Sequence, residues 1–197
     1  MKTLATLIVT ISLIIAALPL LAADRTWIGT TDGNWATPGN WDGGVTIPAD
    51  GDNISFPDVA NQTITLGADR IIGTLTINAP DAYVINTGNR ITLGGALTQS
   101  GAGTVTLNNT LTLVASQSLA GTGAGEVTLA GALTGSTTIN VSGANWTLNA
   151  DNSATLTSGT KWNVTGGRLS LWSATTSRST AAHSGPPLPS AAWAIAR

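Results

Sequence analysis

The sequence has no cysteine, a single histidine, and charged side chains at only 9% of its 197 positions. Without cysteine there are no disulfide staples, no thiolate metal sites and no cysteine nucleophiles. His183 alone leaves little for zinc ligation or general-base chemistry. Soluble globular chains usually carry roughly 25% charged residues, so this surface is unusually neutral. The net charge of −2 supplies no basic field, and nucleic acid is not expected as a partner. In place of charge stand 23 glycines, 32 threonines and 14 asparagines.

The amino terminus reads as a secretory signal over residues 1–23. Met1-Lys2 is a short positive start, residues 4–21 are mostly Leu, Ile, Val and Ala, and Leu21-Ala22-Ala23 offers small residues for cleavage after Ala23. The competing reading is a membrane anchor, since about 20 apolar residues can span a bilayer. Pro19 near the end of the run and the lack of a following basic cluster favour cleavage. The expected product is a secreted or cell-surface protein without a membrane span.

Residues 61–171 alternate apolar and small polar side chains in short bursts, such as Thr74-Leu75-Thr76-Ile77 and Thr110-Leu111-Thr112-Leu113. Period-two alternation marks strands, and the intervening Gly94-Gly95, Asn108-Asn109 and Gly166-Gly167 mark turns. Ile91-Thr92-Leu93-Gly94-Gly95-Ala96-Leu97-Thr98 recurs as Val127-Thr128-Leu129-Ala130-Gly131-Ala132-Leu133-Thr134. Burst centres at Ile64, Val84, Val105, Val127, Trp146 and Leu169 advance by 20, 21, 22, 19 and 23 residues. The spacing predicts an all-β solenoid, a single-stranded parallel β-helix of about five coils of ~21 residues each. An antiparallel β-sandwich is the alternative. The uniform bursts and the small size of most inward residues weigh against it.

Residues 24–60 differ, holding Trp27, Trp35 and Trp41 within Thr26-Trp27-Ile28-Gly29, Gly33-Asn34-Trp35 and Gly39-Asn40-Trp41. Pro48, Asp50, Asp52 and Ile54-Ser55-Phe56 follow. This order, followed by Thr-Leu coils, resembles the start of secreted bacterial proteins with autotransporter-associated β-strand repeats. The resemblance covers about residues 24–171 and implies a signal peptide, a tryptophan block and a right-handed β-helix passenger. Physically the block reads as a lid over the raw end of a solenoid. The alternative is a carbohydrate platform, in which Trp27, Trp35 and Trp41 stack on sugar rings.

Catalytic constellations are scarce in the sequence. Asp69, Asp81, Glu126 and Asp151 are scattered in turns of the coil region, whereas glycoside hydrolysis needs paired carboxylates about 5–9.5 Å apart. Asp50-Gly51-Asp52-Asn53 is a weak calcium candidate through Asp50 and Asp52, but it lacks the twelve-residue loop with its terminal glutamate. A tight turn explains the same residues, and no cofactor is expected. Gly121-Thr122-Gly123-Ala124-Gly125 reads as a coil corner, because no helix follows to cradle a phosphate. Asn86, Asn108 and Asn149 are placed to stack as an amide ladder.

After Leu171 the alternation stops, and residues 172–197 read as a disordered or frame-shifted tail with Pro186-Pro187 and solvated His183. A truncated fragment is one explanation; the other is a tail covering the last coil. An uncapped end predicts end-to-end self-association. The functional expectation is a non-catalytic, exported or surface-displayed protein with a structural or adhesive role, its partner a glycan or surface protein. A secreted carbohydrate-binding module is the alternative, and a polysaccharide lyase or hydrolase stands last.

Overall fold

The computed structural model describes residues 21–60, 62–78, 80–114, 116–135, 138–150 and 160–171. Nearly all of the signal-peptide reading, Asp151, His183 and the tail lie outside the described residues.

The strands are short, most of them three or four residues. β1 (Asp24–Thr26) and β2 (Asn53–Pro57) lead in, and a 3₁₀ turn at Pro38–Asn40 lies between them. The first full coil is β3 (Thr63–Ile64), β4 (Arg70–Ile72) and β5 (Leu75–Asn78). The second is β6 (Tyr83–Ile85), β7 (Ile91–Leu93) and β8 (Leu97–Gln99), and the third is β9 (Val105–Leu107), β10 (Leu111–Leu113) and β11 (Gln117–Gly121). The fourth is β12 (Glu126–Leu129), β13 (Leu133–Thr134) and β14 (Thr138–Ser142). β15 (Asn145–Leu148), β16 (Lys161–Val164) and β17 (Arg168–Leu171) complete the described strands.

Each strand pairs in parallel with its counterparts one coil before and after, giving three faces. The first stacks β3, β6, β9, β12, β15 and β17; the second β4, β7, β10 and β13; the third β1, β2, β5, β8, β11, β14 and β16. The chain is a right-handed parallel β-solenoid of about five turns, and the sandwich alternative is excluded by the parallel pairing.

Alternation explains the wrap. Ile85, Leu107, Leu129 and Leu148 stack inward along the first face while Thr106, Thr128 and Thr147 stack outward beside them. An apolar side chain at every second position buries against its neighbours above and below, and the pleat turns its threonine neighbour to solvent. Buried amides finish the corners: Gln117 Nε2 donates to Val114 O at 2.7 Å, and Gln99 Nε2 to Gly103 O at 2.8 Å.

Three sequence expectations change in detail. Tyr83 and Ile85 are the inward residues of β6, and Val84 points outward opposite Thr63 and Thr106. The solenoid also begins before residue 61, since β1 and β2 are the first two rungs of the third face. Asn86, Asn108 and Asn149 do not form the amide ladder expected of them: the Asn86 amide donates to Thr65 Oγ1 at 3.0 Å. The amide-to-amide rung is instead Asn163 to Asn140, at 2.9 Å on the third face.

Candidate functional site: the tryptophan block and the outward columns

The block before β2 is organised by one buried asparagine. Asn40 Oδ1 accepts the N–H groups of Thr31 and Asp32 at 3.0 and 3.1 Å. Its amide nitrogen donates to Asp32 Oδ1 at 2.6 Å and to Asn34 O at 2.9 Å. The Asn34 N–H also reaches Asp32 Oδ1, at 2.7 Å. These donors, the Asn34 backbone first and the Asn40 side chain second, hold the Asp32 carboxyl below its ordinary range. Gly33 allows the block to touch the first coil, because a Cβ there would overlap the Thr63 carbonyl.

Trp27, Trp35 and Trp41 are 0%, 1% and 0% exposed. Trp41 meets Trp27 and Trp35 edge to face at centroid distances of 5.1 and 4.6 Å. Phe56 lies 6.1 Å from Trp27 and stacks on Tyr83 at 5.5 Å, so the aromatic cluster runs into the second coil. The Trp41 indole N–H donates to Trp35 O at 2.8 Å. Arg70 lies 5.6 Å from the Trp35 ring centroid and donates to Leu66 O. Burial lowers the pKa of that guanidinium, and nearby Asp50 acts in the opposite direction. Every one of these indoles is enclosed by protein, so none offers a face to a sugar ring. The carbohydrate platform placed on Trp27, Trp35 and Trp41 is therefore corrected: the energy of these rings goes into packing.

Asp52 is also interior, and its carboxylate is occupied. Oδ1 accepts the Ala23 N–H and Oδ2 the Ala49 N–H, both at 2.8 Å, and Arg25 Nε lies 3.5 Å from Oδ2. Asp52 thus ties the start of β1 to β2, and Asp50 stands apart on the exposed side of the turn. The calcium candidate fails on this geometry, since one of its two carboxylates already serves backbone donors. Among the described residues no three His, Cys, Asp or Glu side chains come together as a metal cluster.

The block also closes the leading edge of every face. On the third, Thr26 exchanges bonds with Asp42: its N–H reaches Asp42 Oδ1 at 3.2 Å, and its carbonyl accepts the Asp42 N–H at 2.9 Å. On the first, Thr65 donates to Gly33 O at 2.8 Å and accepts from Trp35 N–H at 2.9 Å. On the second, the Ile71 carbonyl accepts the Gly51 N–H at 2.9 Å. Strand edges left open are templates for association; this end is shut.

Two features remain on the surface. Asp58 and Asp81 line one open depression of about 660 Å³ with Val59, Ala60, Gln62 and Thr63. The sequence reading missed this pair because Asp58 precedes the repeats and shares no motif with Asp81. Gln62 Nε2 donates to Asp58 at 3.3 Å. Tyr83 beside them donates to Pro57 O at 2.6 Å, and burial, followed by the Asp58 charge, pushes its hydroxyl pKa far up. The other charged turns are accounted for locally: Asp69 pairs with Arg90 at 3.1 Å, and Glu126 accepts from Thr147 at 3.2 Å.

The second feature is the outward columns. Thr63, Val84, Thr106, Thr128, Thr147 and Ser170 align on the first face. Thr26, Ser55, Thr76, Thr98, Ala120 and Ser142 align on the third. On the second, the Thr112 and Thr134 hydroxyls hydrogen-bond at 2.7 Å. Rungs of a parallel ladder repeat about every 4.8 Å, so each column is a regular uncharged row.

No helix among the described residues is long and apolar enough to cross a membrane. No curated protein and no solved structure matches the chain. A family model described as a domain of unknown function (DUF8693) matches residues 26–136, from the end of β1 through the fourth coil's second strand and the turn after it. That span joins the tryptophan block to the coils it closes, in keeping with their shared aromatic core. With more than half of its length matched, the chain belongs to the DUF8693 family.

Proposed function

We propose that this chain is an exported or surface-displayed solenoid with a structural or adhesive role and no catalysis of its own. The observation that carries the reading is the set of uncharged outward columns, hydroxyl-rich and regular over six rungs on two faces. Such rows present hydrogen-bonding groups at fixed spacing to a glycan or a neighbouring protein. The resemblance of residues 24–171 to secreted proteins with autotransporter-associated repeats supports the same reading, as does the signal-like start. Export is tested by fractionation and amino-terminal sequencing, with mature protein starting at Asp24 as the expected result. Full-length precursor confined to the cytoplasm overturns it.

Adhesion is tested by adding purified protein to insoluble polysaccharides and bacterial cells. Binding is expected, with at least a tenfold loss in the Thr106→Lys/Thr128→Lys double variant, whose substitutions point away from the core. Equal binding by variant and parent removes the columns from the mechanism. The Asp58 and Asp81 depression supports a second reading, polysaccharide cleavage. Release of sugar fragments that disappears in Asp58→Asn or Asp81→Asn replaces adhesion with catalysis.

A further inference from the structure

The two ends of the solenoid are unequal. The leading end is closed on all three faces by its own block, whereas the trailing rung of the third face is exposed. Trp162 and Val164 are only half-buried, although the residues at the same register one coil earlier, Ile139 and Val141, are fully buried. The Thr165 N–H bonds to Val141 O at 2.9 Å, so Lys161, Asn163 and Thr165 turn their backbone groups toward β14. By the alternation of a parallel ladder, the N–H and C=O groups of Trp162 and Val164 face the open side.

We propose that this trailing edge is a dimer interface, joining two copies tail to tail about a two-fold axis through Asn163. A head-to-tail stack would lay this open edge against an edge whose backbone groups are already bonded. Only a second open edge supplies matching donors and acceptors, and a two-fold contact closes at two copies. The register follows from which groups are available. With Asn163 on the axis, Trp162 pairs with Val164 of the second copy and Val164 with its Trp162. All four outward groups of each strand are then used in two hydrogen-bonded antiparallel pairs. The same register sets each indole against a β-branched side chain, a favourable cross-strand pair. Lys161 falls opposite Thr165 of the second copy, so no like charges meet. Asn163 donates to Asn140 at 2.9 Å through one amide hydrogen, and its second hydrogen and carbonyl can meet their equivalents across the axis.

The absence of cysteine makes the register directly readable. Asn163 opposite itself is a non-hydrogen-bonded pair, with Cα atoms about 4.5 Å apart, within the disulfide range. Full-length Asn163→Cys under mild oxidation is expected to run almost wholly as a covalent dimer. Asn140→Cys and Lys161→Cys are expected to stay uncrosslinked. Light scattering of the parent is expected to give a dimer that dissociates on dilution and never a larger species. Val164→Pro removes an outward N–H without touching a bond to β14, and is expected to be monomeric with an unchanged circular dichroism spectrum. Three results overturn the proposal: a parent that is monomeric at every concentration with no Asn163→Cys crosslink, as when residues after Leu171 cover the edge; a ladder of larger oligomers; or equal crosslinking at positions 140 and 163.

Discussion

Single side chains here matter according to what they satisfy in the interior. Asp52 accepts two backbone N–H groups and faces Arg25, so Asp52→Ala strands buried donors at the junction of β1 and β2. A loss of about 2–3 kcal/mol is expected by urea denaturation, the scale of hydrogen bonds to a buried charge. Asn109 is buried and donates to Asn86 O and Asn89 O at 2.8 and 2.7 Å, reaching back one coil. Asn109→Ala should cost about 1–3 kcal/mol, and neighbouring Asn108→Ala about 0.5 kcal/mol or less. Similar melting shifts for the two would contradict the assignment. Asp32 adds a pH dependence. Its folded pKa lies below the ordinary value of 3.8, so its contribution is complete above that value and is lost as pH falls through the lower folded one. Asp32→Asn should flatten the acid limb of stability between about pH 2 and 4; parallel limbs in variant and parent would show that other groups govern it.

At the scale of a strand, parity decides everything. In β12, Leu129 is buried and Thr128 faces outward one residue away. Leu129→Ala should cost about 2–5 kcal/mol, and Thr128→Ala about 0.5 kcal/mol or less, as measured by thermal unfolding. The alternation was legible wherever threonine marked the outer position. It failed at β6, because Tyr83-Val84-Ile85 has no polar residue to mark a side. There the pleat is set by neighbouring rungs and by Tyr83, which reaches Pro57 O in the preceding coil. Coil corners obey a backbone constraint instead. Gly143 has φ of 71°, and a Cβ there would overlap the Gly121 carbonyl, so Gly143→Ala must push two coils apart. The Gly-rich corners were recognisable as turns from composition; which carbonyl each one accommodates depends on the coil beneath.

Across the whole molecule, stability should run as a gradient from the closed end to the open one. Each coil contacts mainly its neighbours, so a solenoid is held by repeat and interface contributions. Hydrogen exchange should therefore be slowest in β2, β5 and β8 and fastest in β16 and β17; uniform protection would show a fully cooperative unit. Tryptophan emission tests the closed end in the same protein, with poor iodide quenching of the Trp27, Trp35 and Trp41 contribution and no response to soluble glycans. The sequence by itself determined the all-β class, the coil period and the division between inner aliphatic and outer hydroxyl residues, because a two-residue pleat and a 21-residue repeat are local and periodic. It left open whether three tryptophans bind a ligand or fill a core, what Asp52 holds, and which acids share a depression. Those answers depend on partners such as Phe56, Arg70, Ala23 and Asp81, which the solenoid brings together from distant positions. Burial and backbone satisfaction exist only after the chain has wound, so only the tertiary structure could decide that one end is sealed and the other open.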